Sequence, residues 1–175
     1  MATDPPPRKS ARNEQFEMFF SLPDFSDIPL RNLQDAMQRP FFSMSKRKRV
    51  KPIEYVSPDR SVTVSVSANE RYGLASIFDA DVMIYLASHI NELRRQGRND
   101  ITQAVKIKPL HMLRRIAWGT DGRAYERLTQ ALDRLQSTTI KTNIRANSKS
   151  RETTFSWIDS YTHLVHEGTG QSLGM

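Results

Sequence analysis

The sequence predicts an α+β fold, a winged helix-turn-helix with an N-terminal β-hairpin and a flexible N-terminal arm. Three observations predict it. Val105 to Asp159 reads strand, helix, tight turn, helix, strand, basic loop, strand. Upstream, Val62, Val64 and Val66 alternate with Ser and Thr, the period of a half-buried strand. The positive charge is concentrated in the first of these stretches. The 175-residue chain carries +7. Residues 1–104 hold 15 Lys/Arg against 13 Asp/Glu, and residues 105–159 hold 11 against 5. A local surplus of that kind implies a polyanionic partner, because release of condensed counterions drives such binding.

The elements follow in order. Residues 1–40 are expected to form the flexible arm with one short helix. Pro, Asp, Arg and Ser dominate its first part, and the apolar island Phe16, Met18, Phe19, Phe20 buries too little to offset ordering. Ile28 to Met37 is the short helix, ended before Pro40. Lys46, Arg47, Lys48, Arg49 and Lys51 place five cations in six residues. They read either as a solvated linker or as a strap that tracks phosphates. Ile53–Val56 and Ser61–Ser67 form the hairpin about a Ser57-Pro58-Asp59-Arg60 turn. Asp79 to Gln96 is the longest helix, with Asp79 as N-cap, Gly97 as stop and Met83, Leu86, Ala87, Ile90 and Leu93 as its apolar stripe.

Val105–Ile107 is a short strand, and Pro109 suits the first turn of the helix that follows it. Gly119 to Gly122 makes the turn, with Thr120 or Asp121 capping a second helix that ends near Ser137. Thr138 to Arg145 is a strand with Ile140, Thr142 and Ile144 on one side. Residues 146–151 are the wing tip, and Thr153–Asp159 returns with Phe155 and Trp157 on one face.

The second helix has two faces. Tyr125, Leu128, Ala131, Leu132 and Leu135 share one. Arg123, Arg127, Gln130 and Arg134 share the other, within roughly 60° at about 100° per residue. Arg can fork onto guanine O6 and N7, and Gln can pair with adenine N6 and N7. These four are the expected groove-reading residues. Arg145, Lys149 and Arg151 of the wing, with Lys46, Arg47, Lys48 and Arg49 of the strap, are expected on backbone or minor groove. An ordinary solvated basic face is the competing reading. Trp118 reads as buried packing, not as a stacking platform.

Catalytic and metal chemistry find no support. There is no Gly-rich loop ending in Lys-Ser/Thr and no His-Glu-x-x-His. The four histidines show no ligand pattern, and cysteine is absent. The expectation is no enzyme, no metal and no cofactor. No apolar run reaches membrane-span length and no signal core opens the chain, so no membrane partner and a cytoplasmic location are expected.

Four strings carry a family resemblance: Pro40 to Lys46, Tyr72 to Asp81, Gly119 to Tyr125, and Leu132 to Thr142. Together they resemble the replication initiator protein A family of bacterial plasmids, over roughly residues 40–160. The resemblance implies an initiator that binds repeated sites in double-stranded origin DNA and controls copy number. It implies two winged-helix domains, the N-terminal one mediating dimerisation as well as DNA contact. Residues 41–165 are then the winged-helix DNA-binding and dimerisation domain. Residues 166–175 are a tail or linker towards a second winged helix for which no room remains. A homodimer is expected, through the Val62, Val64, Val66 hairpin and the Asp79–Gln96 helix, with host replication proteins and chaperones as further partners. The alternatives are a winged-helix transcriptional autorepressor and a dimerisation or interaction module that leaves DNA reading to the second domain.

Overall fold

The computed structural model describes residues 17–21, 40–97, 104–144 and 152–164. The Ile28–Met37 helix, the wing tip and the segment 166–175 lie outside the described residues, as do Arg145, Lys149 and Arg151. The described elements are two antiparallel sheets and three helices.

The first sheet corrects the reading of the N-terminal arm. Strand β1 (Glu17–Ser21) is its middle strand. It pairs with β4 (Ala104–Ile107) on one side and β7 (Ser160–Leu164) on the other. Met18 lies opposite Ile107 and Phe20 opposite Val105, and all four are at most 3% exposed. Phe19 faces the other way, with the Lys106 ammonium 5.7 Å from its ring centre. An apolar island this small cannot order itself. Between two partner strands, its backbone groups are paired and its alternate side chains reach a core that others build.

The second sheet has the order β2-β3-β5-β6. Strands β2 (Ile53–Val56) and β3 (Thr63–Ser67) are the expected hairpin. Its turn is held by Asp59, whose carboxylate accepts from the Ser57 and Ser61 hydroxyls and the Ser61 amide. Those bonds, that from Ser57 foremost, pull the Asp59 carboxyl down to about 2. Strands β5 (Thr139–Thr142) and β6 (Thr153–Ser156) continue the sheet, with Val66 opposite Ile140 and Ile140 opposite Phe155. Val64, Val66, Ile140 and Thr142 point into the core. Val64, for which the sequence leaves a dimer surface and the core as alternatives, is 1% exposed and is a core residue.

Helix α1 (Ala80–Arg95) turns Ala80, Val82, Met83 and Leu86 inward and ends at Gly97, whose φ is +77°. Helix α2 (Pro109–Arg115) has proline in its first turn, as expected. Helix α3 (Gly122–Ser137) buries Ala124, Leu128, Ala131, Leu132 and Leu135. Trp157 closes the core at the β6 end. Phe42 stacks on it at 4.5 Å between ring centres, and Phe41 and Phe155 meet it edge-on.

The order strand, helix, turn, helix, strand, strand is therefore present, but the strands divide between two sheets. The strand before α2, β4, pairs with β1 in the sheet that β7 completes, not with the β5–β6 hairpin. That sheet-rich layout is not clearly that of a winged helix.

The position of β1 yields a first prediction. Phe20→Ala is expected to cost about 3–5 kcal/mol of stability, the cost of emptying a buried aromatic site. Urea unfolding checks it. A loss below ~0.5 kcal/mol would mean that this segment is a detachable arm.

Candidate nucleic-acid interface

The helix-turn-helix corner is built by local chain chemistry. At the end of α2 the Trp118 amide donates to the Leu113 carbonyl at 3.1 Å, and the Ala117 amide to that of Arg114 at 3.4 Å. Ala117 sits at φ +56° and Gly119 at φ +84°. This pairing of carbonyls around a left-handed residue terminates α2 and reverses the chain. Asp121 then caps α3, its carboxylate accepting from the Ala124 amide at 2.9 Å. Of the two expected caps, the structure uses Asp121.

On α3, Arg123, Arg127 and Gln130 are exposed, as their helical phase requires. Glu126 is exposed on the same side. The Arg127 guanidinium carbon lies 4.0 Å from the centre of the Trp118 ring. Trp118 is half-buried and its indole N–H donates to Asp81 at 3.2 Å.

Arg134 departs from the expectation. Its side chain is 23% exposed and its guanidinium is engaged within the chain. Its Nε donates to Asp79 Oδ2 at 2.8 Å and its Nη2 to Oδ1 at 2.7 Å. Asp79 is 1% exposed. The Ser76 amide and hydroxyl donate to the same carboxylate, at 2.7 and 2.9 Å. Asp79 thus occupies the expected N-cap position, but its side chain makes no capping bond to α1. The Asp79 bonds, with burial opposing them, hold the guanidinium pKa above its ordinary value. Arg134 satisfies a buried charge, and helical phase alone could not reveal a partner 55 residues away.

Residues 31–174 match the family described as Replication initiator protein A. The chain belongs to the replication initiator protein A family. It is similar to a curated protein of Wigglesworthia glossinidia brevipalpis named "Putative replication protein", at 29% identity over 166 residues. That match covers 94% of this chain and 58% of the relative, so the chain spans little more than half the relative's length. No solved structure matches.

In this family member the basic strap is a fixed part of the fold. The Lys48 ammonium donates to the Arg71 carbonyl at 2.8 Å. Arg49 Nε donates to the Lys51 carbonyl at 3.1 Å, and its carbonyl accepts from the Leu74 amide at 2.8 Å. Gly73, at φ +83°, lies so close that a Cβ there would come within 2.9 Å of Lys48 Cγ. Lys46 and Arg47 remain exposed, with no partner for their charged ends among the described residues. The strap adjoins the far end of α3, since Ala75 beside it donates its amide to Thr138 Oγ1. The structure therefore does not place Lys46 and Arg47 beside Arg123.

Sequence reasoning missed several exposed cations, two at the corner and one beside the strap. Arg114 and Arg115 project from the last turn of α2, and Arg71 lies over the Tyr72 ring at 5.4 Å. Their local charge was legible, but their exposure was not. Among the described residues no group of three or more His, Cys, Asp or Glu could hold a metal ion. No described helix is long and apolar enough to cross a membrane.

A second prediction separates a structural Arg134 from a groove-reading one. Arg134→Ala is expected to destabilise the chain by about 3 kcal/mol, because it leaves a buried carboxylate without its counter-charge. Arg134→Lys should restore only part of this, since an ammonium cannot fork onto both oxygens. Thermal melting reads both. A stable Arg134→Ala chain with impaired DNA binding would return Arg134 to the interface.

Proposed function

We propose that this chain acts in a plasmid replication initiator and binds double-stranded origin DNA through α2, the corner and α3. One observation carries the reading. Arg123, Arg127 and Gln130 stand exposed on one face of α3, without an ion pair among the described residues. Phosphate-seeking Arg114 and Arg115 lie on the preceding helix. The family, and the relative's printed name, support a role in starting replication. On this reading Arg123, Arg127 and Gln130 address the major groove. Lys46 and Arg47, with Arg145, Lys149 and Arg151, hold phosphate or minor groove. A winged-helix mode of docking, copy-number control and autorepression belong to the same proposal, as do contacts with host replication proteins and chaperones in a bacterial cytoplasm. No chemical step is assigned to the chain.

A duplex-binding titration tests this. Arg127→Ala is expected to lose about 1–3 kcal/mol on the origin repeat and much less on random duplex, the mark of a base contact. Replacing Lys46 and Arg47 together should weaken both duplexes alike and reduce the salt slope by at most roughly 1.8, or 0.9 per phosphate contact. Equal losses for Arg127→Ala on both duplexes would demote it to a phosphate contact. A wild-type chain indifferent to duplex at low salt would overturn the reading.

A second reading, a homodimerisation module, has one observation in its favour. Met44 is 78% exposed, and Ile77, Phe78 and Ile84 are 38%, 39% and 46% exposed around the start of α1. The Ile77 amide donates to the Ser43 carbonyl at 3.0 Å, which sets Met44 beside Ile77. A second copy would cover these side chains. Met44→Glu with Ile84→Glu should then leave a folded monomer in sedimentation. A wild type that is itself monomeric at high concentration would remove the dimer.

A further inference from the structure

We propose that Trp118 is a positioning residue for Arg127, holding its guanidinium in the attitude in which α3 offers it to a base edge. The inference deepens the DNA reading and rests on it.

Three constraints meet at Trp118. Its backbone is fixed by the bond from its amide to Leu113 and by the left-handed residues on either side, Ala117 and Gly119. Its indole N–H is fastened to Asp81 on α1. Its ring then receives Arg127 at 4.0 Å. The indole is thus anchored to α1 and to the end of α2 before α3 contributes anything. Ala117 is a non-glycine residue at positive φ, a conformation that costs energy and that aims the residue after it.

A guanidinium whose carbon lies 4.0 Å from a ring centre is close enough to rest on the ring by its flat face. Its N–H donors lie in the plane, so the fork needed for guanine O6 and N7 stays available. Arg127 remains exposed, so the contact does not bury it away. A free arginine on a helix surface samples many rotamers and loses that freedom on binding. A ring beneath it removes part of that loss beforehand. Trp118 therefore makes no contact with DNA in this account. It acts through Arg127, on specificity more than on general affinity.

The test is a double-mutant cycle of Trp118→Leu and Arg127→Ala, with origin-repeat and random duplexes as probes. Trp118→Leu is expected to weaken repeat binding about three- to tenfold, with little change on random duplex. In the Arg127→Ala background the same change should cost almost nothing, because the coupled pair is already broken. Trp118→Phe, which keeps an aromatic face but not the Asp81 bond, should retain most of the discrimination. Thermal melting reports whether each variant folds. An independent readout needs no variant. The Arg127 side-chain protons of the free wild-type chain should show an upfield ring-current shift by NMR. Additive losses in the cycle, or ordinary Arg127 shifts, would overturn the proposal while leaving DNA binding intact. A chain that shows the shifts but binds no duplex in a salt-dependent way would overturn the DNA reading and the proposal with it. Should Trp118→Leu not fold, the wild-type shifts and the Trp118→Phe cycle decide.

Discussion

The buried pair of Asp79 and Arg134 sets the geometry on which everything else depends. A carboxylate that is 1% exposed is tolerable only if its oxygens are satisfied, and here four donors reach it. A buried ion pair of this kind contributes little net stability against well-packed apolar side chains. What it supplies is registry. It joins the last turn of α3 to the first residues of α1, and neighbouring bonds extend the joint. Ala75 donates to Thr138, and Ser43 bridges Ser76. At the other edge of α3 the Tyr161 hydroxyl donates to Asp133 at 2.6 Å, tying the helix to the three-stranded sheet. Burial, then the Asp133 carboxylate, pushes the Tyr161 hydroxyl pKa above its ordinary value, so it stays a donor. The amino-terminal half of α3 is left open for contact.

This joint gives the family strings a physical meaning. Phe42 from the first stacks on Trp157 and Phe41 meets it edge-on, and Ser43 meets Ser76 of the second. Asp79 of the second binds Arg134 of the fourth, and Asp81 holds Trp118 beside the third. Most of these residues are scaffold. The strings that carry the resemblance therefore report how α3 is mounted more than what it touches. Of the residues proposed to read bases, Arg123 lies in the third string, and Arg127 and Gln130 lie between the third and fourth.

The fold was legible wherever local chemistry decides. The hairpin, the cap at Asp121, the proline start of α2, the glycine stop of α1 and the buried face of α3 all follow from spacing and turn residues. It was illegible wherever distant chain segments decide. Nothing local distinguishes Glu17–Ser21 from a loose apolar island, because its partners lie about 85 and 145 residues away in the chain. The same is true of the sheet to which each strand belongs. Among the candidate residues, Arg123, Arg127 and Gln130 sit where helical phase puts them. Arg134 shares that phase but meets α1, and Trp118 turned out to support Arg127. Lys48 and Arg49 spend their polar ends on nearby carbonyls.

The central claim is that α3 divides into a mounted carboxyl end and a free reading end. The most direct measurement is an NMR titration of this 20.1 kDa chain with origin-repeat duplex, following arginine and glutamine side-chain and indole N–H signals. The account predicts perturbation at Arg123, Arg127, Gln130 and the Trp118 indole, with the Arg134 Nε–H signal unmoved. Movement of Arg134 together with silence at Arg123 and Arg127 would contradict it.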